Sequence, residues 1–125
     1  MRLQTNRLTT YTVRPKVITK DGEGVPSVSY EDGFEVKGYM WKAESKAQIE
    51  RYGNVIENVS NLRLQGRWTV GLFNGTLGAQ NARTGEILRL GDGLNVYTDA
   101  EDAPDFVIRS LTAYKCLLLE VEHVK

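Results

Sequence analysis

Glu35–Gly66, with the sequence EVKGYMWKAESKAQIERYGNVIENVSNLRLQG, has the pattern of a strand, a short helix, a loop and a second strand. Tyrosine, tryptophan, valine and methionine crowd together between Glu35 and Ala43. Neither a proline nor a helix cap interrupts them, so this part is predicted as a strand followed by a chain reversal. The other predicted elements are arranged around this unit.

A two-turn helix is predicted from Lys46 to Tyr52. Ser45 and Gln48 have the spacing of a capping box, in which the serine oxygen accepts from a free backbone N–H and the glutamine reaches back to the cap residue. Gly53 can adopt the left-handed conformation that ends a helix. Because so short a helix is marginal in water, its apolar residues must pack either on the domain's own sheet or on a neighbouring subunit.

An alternation of apolar and polar residues follows a predicted loop or irregular strand at 54–61. Residues 62–72 have the period of two that is typical of a half-buried strand. Gly66 interrupts the apolar side, and we predict a barrel corner there. Asn74-Gly75 is a hairpin signal, and the tract from there to Gly85 is predicted as a long hairpin or loop. The apolar side consists of Leu62, Leu64, Trp68, Val70 and Leu72.

Further short strands are predicted on both sides of this region. The N-terminal strand ends, or lies at a sheet edge, at Pro15, which lacks a backbone donor. Turns are expected at 21–26, 30–34 and 91–93, and the acidic segment 99–105 is expected to be a solvated loop. The remaining strands are expected at Arg7–Val13, Leu94–Thr98, Phe106–Leu111 and Tyr114–Val124, with a short apolar segment at Ile87–Leu90.

These elements predict a mainly β protein of about six short strands with one short helix, folded as an antiparallel barrel or sandwich, and a small antiparallel β-barrel is the expected form. Barrel closure removes the exposed strand edges that so small a chain would otherwise carry. The length of 125 residues is near the usual size of one domain, so residues 1–125 are expected to form a single domain.

The composition indicates an ordinary soluble protein. Charges balance at 16 basic and 16 acidic residues, so the net charge does not favour nucleic acid or an anionic membrane as a partner. Cys116 is the only cysteine, which excludes an intrachain disulfide and fits a reducing compartment. The N-terminal MRLQTNRLTT has no apolar core of signal-peptide length, so no segment that targets or spans a membrane is expected.

No residue pattern typical of catalysis or metal binding is found in the sequence. His123 lies near the C-terminus without a recognisable nucleophile, and one cysteine with one histidine does not make a zinc site. Glu120 and Glu122 point to one side of the last strand, where a solvated face is favoured over acid–base work. The protein is therefore expected not to be an enzyme and to hold no metal or cofactor.

The polar side of the alternating strand suggests an alternative function. Arg63 and Arg67 lie there, and arginines beside tyrosine or tryptophan can contact single-stranded nucleic acid. A small barrel of the OB type would use such a face. Because the balanced net charge favours ordinary surface charge, the OB-like nucleic-acid-binding barrel is kept as the second hypothesis.

The order of RLTTYTV, GYMWKAES, a short helical segment and LLLEVEHV resembles the small head-tail connector proteins of tailed phages and prophages, also called head-closure, stopper or head-tail joining proteins. It is similar in particular to the connector of defective Bacillus prophages of the PBSX type. The resemblance implies a small β-barrel and a structural role, in which the protein joins the head to the tail and helps to close the DNA channel.

The resemblance also implies the partners. They are a portal-side adaptor protein, tail-side proteins and further copies of the chain in a homo-oligomeric ring, with packaged DNA nearby, and a monomer in dilute solution is compatible with it. The implied location is the host cytoplasm during assembly and then the phage particle.

The resemblance places the inter-subunit or channel-facing element in the segment from Glu44 to Ser60. The alternative is that its helix merely plugs one end of the barrel. The long tract from Asn74 to Gly85, which the shortest members of the family lack, leaves open which loop faces the channel. The candidate interaction residues are Glu44, Lys46, Ile49, Glu50, Arg51 and Tyr52.

Overall fold

The computed structural model describes residues 8–20, 22–99, 101–113 and 116–124. Within these ranges the chain forms strands, one α-helix and one 3₁₀ helix, which spans Gly53–Asn58. The α-helix is α1 (Lys46–Tyr52). The strands are β1 (Thr9–Arg14), β2 (Lys16–Lys20), β3 (Pro26–Tyr30), β4 (Phe34–Lys42), β5 (Val59–Leu64), β6 (Trp68–Phe73), β7 (Thr76–Asn81), β8 (Ile87–Arg89), β9 (Gly93–Asn95), β10 (Phe106–Ala113) and β11 (Leu117–His123).

Six strands close into a barrel in the order β1-β4-β5-β11-β10-β9, and β9 pairs with β1 to complete the circle. All neighbouring pairs are antiparallel. The prediction of a mainly β protein with a six-stranded antiparallel barrel and one short helix is therefore confirmed.

Every second residue of each barrel strand points into the interior of the barrel, because successive side chains of a strand point to opposite faces of the sheet. Burying each of these side chains completely stabilises the fold by roughly 1.5–3 kcal/mol relative to leaving it in water. The interior residues with almost no exposed surface include Val13, Leu62, Leu64, Leu94, Ile108, Leu119 and Val121.

Two smaller sheets are attached to the barrel. β6, β7 and β8 form a three-stranded sheet whose residues Trp68, Ala79 and Leu88 belong to the same core cluster as the barrel interior. β2 and β3 form a two-stranded hairpin on which Ile18 and Val28 are more than half exposed. The first sheet is therefore anchored by apolar packing, whereas the hairpin presents apolar side chains to solvent.

The prediction of one alternating strand from 62 to 72 is wrong. β5 ends at Leu64 in the barrel, and β6 begins at Trp68 in the three-stranded sheet. Gly66 lies between them with φ of +103°, a conformation that side chains disfavour, so the chain leaves the barrel here rather than bending within one strand. Leu72, predicted on the buried side, is consequently 73% exposed.

Regular structure is found in segments that were predicted as a turn and loop, as a long hairpin or loop, and as a loop or irregular strand. β3 begins at Pro26, which a two-stranded edge tolerates because its missing N–H is not needed by a second neighbour. β7 occupies the glycine-containing tract after the Asn74-Gly75 turn, where both turn residues have positive φ as predicted for a hairpin. The 3₁₀ helix replaces the predicted irregular segment after α1.

Parts of the predicted elements at Arg7, Asp21 and Tyr114 lie outside the described residues.

The acidic segment 99–105 is not solvated throughout. Asp105 is buried, and its carboxylate accepts hydrogen bonds from the backbone N–H groups of Val96 (2.8 Å) and Tyr97 (2.9 Å). Arg14 is also buried, and its Nη1 donates to the carbonyl oxygen of Asp102 at 2.7 Å. These hydrogen bonds hold the segment against the barrel, so it is an ordered loop.

Candidate functional site

α1 forms with the boundaries that the sequence predicts. The backbone N–H of Gln48 donates to Ser45 Oγ at 3.2 Å, and the Gln48 side chain returns to the Ser45 backbone at 3.4 Å, which completes the capping box. Gly53 ends the helix with φ of +56°, and its N–H donates to the carbonyl oxygen of Ile49. Local hydrogen bonding thus defines both ends of this two-turn helix.

The side chains of α1 reach the outer face of the barrel at β5 and β11. Leu62 and Leu119 are paired across these strands and point into the core. Asn61 and Glu120 are the next pair, so they point outward because side chains alternate along a strand. Gln48 of α1 donates from Nε2 both to Asn61 Oδ1 at 2.6 Å and to Glu120 Oε2 at 2.7 Å.

Glu120 is the centre of this polar network. Tyr52 donates its hydroxyl hydrogen to Glu120 Oε1 at 2.9 Å, and Arg51 forms an ion pair with the same oxygen. Only 6% of Glu120 is exposed, although its side chain points away from the barrel interior. The expectation of a solvated carboxylate face is therefore wrong for Glu120, because α1 covers it.

The network keeps the Glu120 carboxylate ionised. Burial acts to raise its pKa, but hydrogen bonds from Gln48, Tyr52 and Ser110 and the positive charge of Arg51 outweigh burial, so the pKa lies below its usual range. Burial, followed by the hydrogen bond to Glu120, raises the pKa of the Tyr52 phenol. A carboxylate held in this way accepts hydrogen bonds and is poorly suited to take up a proton in general-base catalysis.

A β-bulge in β10 supplies the last contact of the network. The pairing between β10 and β11 shifts between Ile108 and Ser110, so Arg109 and Ser110 both reach the outer carboxylates of β11. Arg109 Nε donates to Glu122 Oε1 at 2.8 Å. Both carboxylates of the last strand therefore have a cationic partner.

An open groove of about 470 Å³ lies beside this network. Its walls are polar side chains around Glu120 together with the ring of Trp41 and the side chains of Lys42 and Thr112. Within the described ranges, no three histidine, cysteine, aspartate or glutamate side chains are grouped so that they could hold a metal ion.

The six predicted interaction residues divide into two groups. Arg51 and Tyr52 hold the helix to Glu120, although 52% of the Arg51 side chain is still exposed, and a contact of either residue with a partner stays a prediction. Glu44, Lys46 and Glu50 are exposed, and Ile49 is 50% exposed. The first group attaches the helix and the second group faces outward.

Sequence reasoning missed the residues that receive the helix, namely Asn61, Ser110 and Glu120. Gln48 was recognised only as part of the cap, and its position in the capping box is the one local signal in this network. Asn61 and Glu120 occupy polar positions of alternating strands, which the sequence pattern assigns to solvent.

Comparisons with protein-family models, with curated proteins and with solved structures find no match to this chain. Across the part of the chain that the structure describes, no helix has the length and apolarity needed to cross a membrane.

Proposed function

We propose that this protein is a structural subunit of the joint between a phage or prophage head and its tail, where copies of it form a ring. The observation that carries the proposal is the apolar surface on separate projecting elements. Cross-strand neighbours Ile18 and Val28 are 60% and 53% exposed on the β2–β3 hairpin, and Leu72 and Leu77 are 73% and 36% exposed on the β6–β7 hairpin.

The β2–β3 hairpin supports an intersubunit role because a two-stranded hairpin is at best marginally stable alone in water. More than half of each residue of its apolar pair, Ile18 and Val28, is exposed. Association that covers this pair would stabilise the hairpin and bury apolar surface at the same time. A contact between different patches of identical subunits is heterologous, and such contacts generate rings when the rotation closes.

The outer side of α1 supports the same role. Tyr52 and Gln48 attach the helix to the barrel, and this leaves Ile49 half exposed between the exposed charges of Lys46 and Glu50. A neighbouring subunit that packs on Ile49 satisfies the requirement for packing that so short a helix creates. The network at Glu120 would hold this surface in one orientation.

In the assembled particle the ring would bind a portal-side adaptor protein on one side and tail proteins on the other, and it would help to close the DNA channel. The host cytoplasm during assembly and the phage particle afterwards are the corresponding locations. Recruitment by an adaptor ring raises the local concentration of subunits, so a monomer in dilute solution agrees with the proposal.

The proposal is tested by imaging particles from a host that lacks this gene. Filled heads that leak DNA and have no tails support it, and intact tailed particles contradict it. Complementation with Ile18→Asp is expected to fail, because a charge at an apolar contact destabilises association. Ser29→Asp, an exposed position on the opposite side of the same hairpin, is the matched control and should restore tails.

A further inference from the structure

The outer face of β4 presents a basic residue and two aromatic residues in a row. Lys37, Tyr39 and Trp41 alternate with Val36 and Met40, which pack toward the core. The three outward residues therefore form a row along β4 on the outer surface of the barrel, and each is two residues from the next. At about 3.3 Å per residue the line is about 13 Å long.

The two rings form an ordered pair. The centroids of Tyr39 and Trp41 are 5.8 Å apart with 23° between the planes, and the guanidinium carbon of Arg63 lies 5.2 Å from the Trp41 ring centroid. Arg63 is the cross-strand partner of Tyr39 in β5. The arginine and the neighbouring strand thus fix the tryptophan, while Tyr39 remains 40% exposed.

A cleft of about 650 Å³ opens at the Lys37 end of this line. Lys37 lines it together with Arg67 and Arg83. Backbone hydrogen bonds set these positions, since Gln65 N–H donates to the Lys37 carbonyl at 2.8 Å and Ala82 N–H donates to the Arg67 carbonyl at 2.9 Å.

The cleft carries more positive than negative side chains. Glu35 and Glu86 also line it, so its three cations outnumber its two carboxylates. All three cations are exposed on the cleft wall. At the other end of the line, Trp41 and Lys42 border the groove beside Glu120.

We propose that the Lys37–Tyr39–Trp41 face, with Arg63 and the cationic cleft, binds single-stranded DNA. Aromatic faces stack on unpaired bases, and the cations neutralise phosphates, which is the combination that single-strand-binding barrels use. A duplex keeps its bases stacked on one another, so it would gain only the phosphate contacts. Single-stranded DNA supplies every group that these contacts use, because stacking and phosphate neutralisation require no 2′-hydroxyl.

The net charge of the chain is zero, so it does not by itself favour DNA as a partner. The cations relevant to binding are collected near one line of aromatic residues, and a local arrangement of this kind attracts phosphates even in a neutral protein. The proposal does not depend on ring formation, because the face belongs to a single subunit.

Fluorescence anisotropy of labelled oligothymidylate of fifteen nucleotides tests the proposal on the full chain. Binding is expected at 50 mM salt and should weaken about 20-fold at 200 mM if three phosphates are neutralised. Duplex DNA of the same length should bind more weakly. Oligouridylate should bind no more tightly than the DNA, since the proposed contacts ignore the 2′-hydroxyl.

Variants of exposed residues locate the site. Tyr39→Ala is expected to weaken binding by about 5- to 150-fold, the range for losing one stacked base. Lys37→Glu with Arg67→Glu should weaken binding and flatten the salt dependence. Tyr97→Ala, which removes a tyrosine that is 80% exposed in another part of the chain, and Lys20→Glu on the β2–β3 hairpin are the matched controls and should bind like the parent.

Tryptophan fluorescence provides a second readout. Bound DNA should quench the half-buried Trp41 more than the buried Trp68, so Trp41→Phe should remove most of the quenching. The proposal is overturned if no binding is seen at 50 mM salt, if duplex or RNA binds more tightly than single-stranded DNA, or if folded Tyr39→Ala binds like the parent protein.

Discussion

Glu120 is a buried carboxylate whose hydrogen-bond partners lie far away in sequence. Gln48, Arg51 and Tyr52 approach it from α1, and Ser110 approaches it from β10. Burying an ionised carboxylate is unfavourable unless such partners compensate for the lost water. The residue therefore links the only described α-helix to the barrel through charge and hydrogen bonds.

Glu120→Gln is expected to lower the free energy of unfolding by about 1–3 kcal/mol, because it removes the charge and leaves donors around it less well satisfied. The loss is limited because Arg51 is half exposed and water can solvate it. Urea denaturation measures the effect. Glu122→Gln is the matched control with a smaller expected loss, because the Glu122 side chain is 22% exposed against 8% for Glu120. Equal losses in the two variants would contradict the assigned role.

The stabilisation by Glu120 is expected to depend on pH. Its pKa in the folded protein lies below the ordinary value of 4.5, so the stabilisation is present above that value and is lost as the pH falls through the lower folded-state pKa. The stability gap between the parent protein and Glu120→Gln should therefore narrow as the pH falls from 7 to below 4.5. Urea titrations of both proteins at several pH values measure the gap. A gap that stays constant or widens on acidification would refute the pKa direction.

At the scale of elements, β4 and β5 approach each other so closely that position 38 has no room for a side chain. A Cβ atom at Gly38 would lie 2.5 Å from the carbonyl oxygen of Arg63, and it would also meet the side chains of Leu64 and Leu62 at 3.0 and 3.1 Å. The strand that carries the aromatic face is thus held against its neighbour by backbone contact. This close approach fixes the position of Tyr39 and Trp41 relative to Arg63.

Gly38→Ala is expected to destabilise the fold by about 1–3 kcal/mol, as overpacking in a well-packed interior does. Gly71→Ala in β6 is the matched control, since a Cβ atom there meets nothing within 4 Å. Thermal or urea unfolding followed by circular dichroism measures both. If the two variants lose similar stability, strand propensity rather than close packing explains the loss.

At the scale of the molecule, the barrel and the three-stranded sheet share one apolar core. Leu88 of β8 is fully buried in the same cluster as Leu64 and Leu119 of the barrel. Elements that share a core are expected to unfold together. The core cluster of described residues includes none from β2 or β3, so the stability of this hairpin depends more on what covers it.

Leu88→Ala is therefore expected to lower the stability of the whole protein by about 2–5 kcal/mol in a single transition. Leu72→Ala removes the same side chain at a position that is 73% exposed and should change stability little. Unfolding monitored by both tryptophan fluorescence and far-ultraviolet circular dichroism distinguishes the outcomes. Separate transitions in the two signals would show that the sheet and the barrel unfold independently.

The sequence by itself determined the features whose interactions are local. Ser45 and Gln48 are three residues apart, so the capping box and the limits of α1 could be predicted, and Asn74-Gly75 predicts its hairpin because both residues tolerate positive φ. The number of short strand-like segments indicated an antiparallel barrel or sandwich with one short helix, and the barrel was expected since closure is a general solution for short antiparallel strands.

Only the tertiary structure decided what covers each strand face. Alternation marks Glu120 as outward, but its partner Gln48 is 72 residues away and no local pattern connects them. Alternation also runs through Gly66, where the chain passes from one sheet to another, and so Leu72 is exposed while Leu64 is buried. The physical reason is that periodicity records which side of a strand is apolar, whereas burial depends on which distant segment packs against that side.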